Sequence, residues 1–119
     1  MVAPSSDCST SLMSARRNRL WHLGMVSIVS GCVSLPHPTG ADAERARSLW
    51  PGASVASLEL GRTTYAARCA GCHALYSPQR HTAEEWSKAL TEMAERAHLT
   101  TAEREEIEQF LSTMSAHSQ

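Results

Sequence analysis

The sequence predicts an all-α fold, a small domain of about three helices spanning residues 58–115, behind some 57 residues of different character. Three observations carry that expectation. Thr82 and Thr100 each stand three residues ahead of a glutamate, Glu85 and Glu103, and each pair opens an apolar periodic stretch. Such a box satisfies two of the amides that a helix start leaves without partners. Gly61, Tyr65 and Cys69 recur every four positions and so share one side of a further helix. Nothing in the chain reads as a β-rich run.

Length and charge narrow the field. A chain of 119 residues suggests one domain at most. Six Gly, five Pro and 42% apolar residues exclude a low-complexity polymer, and a net charge of −1 gives no reason to expect nucleic acid.

The N-terminal third reads as an address. Arg16, Arg17 and Arg19 form a basic cluster, and a twelve-residue, mostly apolar run follows from Leu20 to Gly31. A bilayer span needs ~20 residues, so this run fits a secretory signal. Val29-Ser30-Gly31-Cys32 resembles the lipobox of bacterial lipoproteins. The resemblance implies that residues 1–31 are removed and that Cys32 becomes a lipidated N-terminus. Arg16-Arg17 invites a twin-arginine reading, but Arg19 falls where that motif prefers an apolar residue. Residues 1–12 precede the basic cluster, so Met13 is an alternative start.

Residues 32–57 read as a lipid-anchored tether. Pro36, Pro38, Gly40 and Pro51-Gly52 argue against one continuous helix, with a short helix allowed from Ala41 to Trp50. A flexible segment of ~20 residues has an r.m.s. reach of roughly 25 Å. Trp50 is expected to fold the end of this segment onto the domain.

The domain is organised around Cys69-Ala70-Gly71-Cys72-His73. Two thiols three positions apart lie on one face of a helical turn and can reach the two vinyl groups along one porphyrin edge. The adjacent imidazole can then ligate the iron from below. This is the attachment signature of c-type haem. Rival readings are weaker. A thioredoxin-like pair wants a βαβ setting, and a zinc site wants a second ligand pair at suitable spacing. With Cys32 lipidated and the motif pair on haem, the mature chain has no disulfide framework.

The chain thus resembles small single-haem c-type cytochromes. Gly61-x-x-x-Tyr65 ahead of the motif is similar to the first helix of class I cytochromes c, where the Gly lets the first and last helices cross closely. Phe110 stands where the last helix supplies its aromatic. The second helix presents Trp86, Ala89, Leu90, Met93 and Ala97; the third presents Ile107, Phe110, Leu111 and Met114. The resemblance implies one covalent haem c on Cys69 and Cys72, with His73 as proximal iron ligand and Met93 as the sixth. Met93 also fits a core position on its helix, and His81 or His98 in a bis-His site stays open. Met114, His37 and His117 carry little weight. The carbonyl of Pro78, or a neighbour's, is expected to orient His73. So small a domain, poor in large apolar residues, needs a staple, which a covalent haem would supply.

The function implied is electron transfer by a lipid-anchored carrier in the periplasm of a Gram-negative-type bacterium, on the outer membrane or the outer face of the inner one. Alternatives are a haem-based sensor or small-ligand binder, and a haem relay subunit of an exported oxidoreductase. No nucleophile–base set suggests a stand-alone enzyme. From residue 32 on, 8 basic and 11 acidic side chains leave −3, which favours redox partners with a basic docking surface. The acidic run Glu103, Glu105, Glu106 and Glu108 is expected to be mostly a solvated face.

Overall fold

A computed structural model of the chain describes residues 34–116. Among them are four α-helices and no strand: α1 Gly40–Ala46, α2 Val55–Cys69, α3 Ala83–Arg96 and α4 Thr101–Ser115, with a short 3-10 turn at Pro78–Arg80. Signal peptide, start site and lipobox, with Cys32 itself, lie outside the described residues.

Each helix starts on a reciprocal capping box. The Thr82–Glu85 and Thr100–Glu103 boxes form as the sequence predicts. Two more open α1, from Thr39 to Asp42, and α2, from Ser54 to Ser57. The end of α3 is equally determined. His98 takes φ 51°, the Leu99 amide donates to Ala94 O at 2.9 Å, and the His98 amide donates to Glu95 O at 3.2 Å. Those two bonds make a Schellman closure with His98 in the left-handed position usually held by glycine.

α4 is the central element, packing on α2 and α3 and touching α1. Its Ile107, Phe110, Leu111 and Met114 are buried, and they meet Leu35, Tyr65, Trp86 and Leu90 in the main core. Full burial of each large apolar side chain contributes roughly 1.5–3 kcal/mol. α2 crosses α4 at Gly61. A Cβ there would lie 2.1 Å from the Glu106 carbonyl oxygen and 2.9 Å from Phe110 Cβ. The close crossing expected from the Gly-x-x-x-Tyr resemblance is therefore present.

The segment expected to be a tether is packed instead. Leu35, Pro38, Asp42, Ala43, Ala46 and Ala53 are buried, and a second small cluster joins Ala43, Ala46 and Ala53 to Leu58, with Trp50 against it. The Asp42 carboxylate accepts from the Thr39 amide and hydroxyl and from Arg45. Arg45 also donates to the Thr113 carbonyl at 3.3 Å, tying α1 to the end of α4. Packing thus reaches back at least to Leu35 rather than beginning at residue 58. Small residues and prolines carry this contact, which is why the sequence reads there as a linker.

Candidate functional site

α2 ends at Cys69, and Ala70, Gly71 and Cys72 continue as a turn rather than as helix. Cys69 is half-buried and Cys72 exposed, and both are free thiols. Burial pushes the Cys69 thiol up, so it is held protonated. The next residue, His73, donates from Nδ1 to the Ala74 carbonyl at 2.8 Å. That bond fixes the tautomer and leaves Nε2 free to bind a metal. The Pro78 carbonyl is engaged elsewhere: it accepts from Trp86 Nε1 at 2.8 Å. A neighbour's carbonyl, not that of Pro78, therefore orients His73.

Tyr65, one turn before Cys69, pins the loop that follows the motif. Its hydroxyl donates to the Tyr76 carbonyl and accepts from the Tyr76 amide, both at 3.1 Å. Burial is the main cause that pushes the Tyr65 phenol up to about 12, so it remains a donor throughout the ordinary pH range. Tyr65→Phe leaves two backbone groups of Tyr76 without partners. We expect a loss of about 1–3 kcal/mol, with faster hydrogen exchange at the Tyr76 amide than at amides in the middle of α4. Unchanged exchange at Tyr76 would reject the pinning role.

These elements enclose one cleft of about 510 Å³, including space open to solvent, lined by Tyr65, Cys69, His73, His81, Trp86 and Met93, with Tyr76, Ala89, Leu90 and Leu111 completing it. The structure thus brings Cys69, His73 and Met93 to one place, with Cys72 exposed in the turn between the first two. Met93 is 36% exposed and faces the cleft, whereas its helical stripe also suits a core position. His81 lines the same cleft with its ring perpendicular to that of Trp86, the centroids 4.9 Å apart. His98 is exposed at the α3 terminus and does not line it. Met114 is buried in the core, and His37 is paired with Glu59 at 3.3 Å.

Two thiols, an imidazole with a free Nε2, a thioether and walls of Trp, Leu and Tyr are the donor set and lining that a covalently held porphyrin requires. A bare metal ion is a poorer fit. Among the described residues no three His, Cys, Asp or Glu side chains converge to hold one.

Residues 65–119 match the family model described as Dihaem cytochrome c. The match runs from the middle of α2 to the end of the chain, just under half of its length, and includes the whole motif. That part of the chain, from Tyr65 on, is therefore similar to cytochromes c. The description speaks of two haems, whereas this sequence holds one Cys-x-x-Cys-His. No curated protein matches the chain, and no solved structure does.

The acidic run of α4 is more engaged than its sequence suggests. Arg68 and the Thr100 cap hold the Glu103 carboxyl down to about 2. Glu106 accepts from Thr64, and Glu108 pairs with Arg104. No carboxylate in the run except Glu105 is left fully exposed. Two features escape a sequence reading: Tyr76 beside His73, and Glu85 beside His81. The first depends on a loop conformation. The second is the i, i+4 spacing, which the capping role of Glu85 conceals.

Proposed function

We propose that this chain is an electron carrier, a single-haem c-type cytochrome anchored by lipid in the periplasm. The observation that carries the proposal is the convergence of Cys69, His73 and Met93 on one apolar cleft, within the stretch that is similar to a cytochrome c family. When bound, haem supplies a one-electron iron couple with no substrate bond made or broken. The chain's own residues do the rest. Cys69 and Cys72 fix the porphyrin edge, His73 offers Nε2 to the iron, and Trp86, Leu90 and Leu111 exclude water. One covalent haem per chain follows from one motif, since neither Cys8 nor Cys32 is followed by a second Cys and a His. Expression with a haem-ligation system, then haem-to-protein stoichiometry after acid extraction, tests this. Two haems per chain would reject the single-haem reading, and a colourless chain would reject the function.

Met93 is the proposed sixth ligand, a thioether that raises the potential. A specific observation favours His81 as the second reading. Glu85 Oε2 lies 3.7 Å from His81 Nδ1, an arrangement that leaves Nε2 facing away from the carboxylate. Met93→Ala is expected to abolish the thioether–iron absorption band and to lower the potential, while His81→Ala keeps the band. The opposite pattern would transfer the role to His81.

Packing reaches back at least to Leu35, three residues after Cys32. An anchor at Cys32 would therefore hold the domain within about 10 Å of the lipid rather than on a long leash. Exposed Glu84, Glu92, Glu95 and Glu105 form no ion pair among the described residues and would favour a basic redox partner. Electron exchange with a cationic partner should slow as salt rises, and a rate that rises with salt would exclude that polarity.

A further inference from the structure

Tyr76, part of the cleft wall, carries Arg80 beside the motif. The Tyr76 ring lies 5.5 Å from the His73 ring, tilted by 30°, and is 41% exposed. Its backbone is fixed through both polar groups by the buried Tyr65 hydroxyl. The Arg80 guanidinium sits over the Tyr76 ring, 4.8 Å from its centroid. No carboxylate pairs with Arg80 among the described residues. Arg80 itself is held by the Pro78–Arg80 turn, in which its amide donates to Ser77 O at 3.0 Å. A buried phenol thus orders a loop, the loop carries an aromatic ring against the imidazole, and the ring carries a cation without a counter-charge.

We propose that Tyr76 is a positioning residue for the His73 imidazole and that Arg80, seated on it, places a positive charge beside the haem site which raises the reduction potential of the haem. This rests on the proposed function above. The ring limits rotation of the imidazole about its link to the chain, which the bond to Ala74 alone restrains at one end only. The cation favours the reduced state, which carries one positive charge fewer at the iron. An exposed charge acts through solvent, so its effect is modest and falls with ionic strength.

The test compares holoproteins at low salt by redox titration and by the electron paramagnetic resonance of the oxidised form. In Arg80→Gln the oxidised-to-reduced ratio at a fixed poise is expected to rise roughly threefold, and to return toward wild type at high salt. Arg80→Lys retains most of the wild-type potential. Tyr76→Phe leaves the resonance unchanged, because ring and backbone bonds both remain. Tyr76→Ala broadens it, through a spread of imidazole orientations, and also lowers the potential as Arg80 loses its seat. The Tyr65 bonds reach only the backbone of Tyr76, so this variant keeps the loop anchored, and thermal unfolding verifies that. A coloured wild type whose potential is indifferent to Arg80→Gln at low salt overturns the charge role. A sharp resonance in Tyr76→Ala overturns the positioning role. A wild type without covalent haem overturns the proposed function itself.

Discussion

Gly61→Ala is expected to lower the melting temperature by roughly 10 °C or more. The added Cβ would fall 2.1 Å from the Glu106 carbonyl oxygen and 2.9 Å from its carbonyl carbon, and both are backbone atoms of α4. No side chain can swing aside to relieve the contact, so the helices must part. Parting them opens the packing of Phe110, whose Cβ is also 2.9 Å away, and of Tyr65 one turn on. Overpacking of this kind costs about 3 kcal/mol or more. The better helix propensity of alanine offsets about 1 kcal/mol of that. A net loss of about 2 kcal/mol is a large share of the stability of so small a domain, and each kcal/mol moves its midpoint by about 4–8 °C. Gly40→Ala is the control, since a Cβ there meets nothing within 4 Å. Thermal unfolding of both holoproteins reads the difference. A Gly61→Ala protein as stable as Gly40→Ala would mean that α2 and α4 do not cross at Gly61.

That crossing was legible in the sequence, and the reason is physical. Gly61, Tyr65 and Cys69 lie on one helical face, and a helix face that begins in Gly and ends in Cys has few other uses. The starts of α3 and α4 were legible because a capping box is local chemistry, complete within four residues. What escaped was decided by distant parts of the chain. Arg45 meets the carbonyl of Thr113, 68 residues away, and that contact makes a packed element of a stretch that prolines and small residues present as linker. The box that opens α1 joins Thr39 to Asp42 within that same stretch. Met93 lies on the stripe that includes Trp86 and Leu90, yet those two are buried and Met93 is half-open on the cleft. Periodicity tells which side of a helix faces inward. It does not distinguish a packed core from the wall of a cleft. In the same way Cys72 falls on the stripe only if the helix continues, and the turn at Ala70 ends it.

Removing both thiols is expected to have the larger effect of the two. The buried apolar set of the domain holds one Phe, one Trp and one Tyr, and three of its twelve members are alanines rather than large side chains. Tyr65, Trp86, Leu90 and Leu111 belong to that set and also line the cleft, so core and cofactor wall are the same residues. A domain this small rarely draws more than about 3–5 kcal/mol from its own core. Haem attached through Cys69 and Cys72 would add apolar contact to each of those four side chains, and it would tie the turn after α2 to α3. Cys69→Ala/Cys72→Ala should therefore lose covalent haem completely and most of its helical circular dichroism at room temperature. Cys72→Ala alone separates the two effects. It keeps the half-buried Cys69 as a single thioether, so some haem and most of the helix should survive. Native-like helicity in the colourless double variant would show that the four helices stand on protein packing alone, and the cofactor would then be a passenger of the fold rather than part of its core.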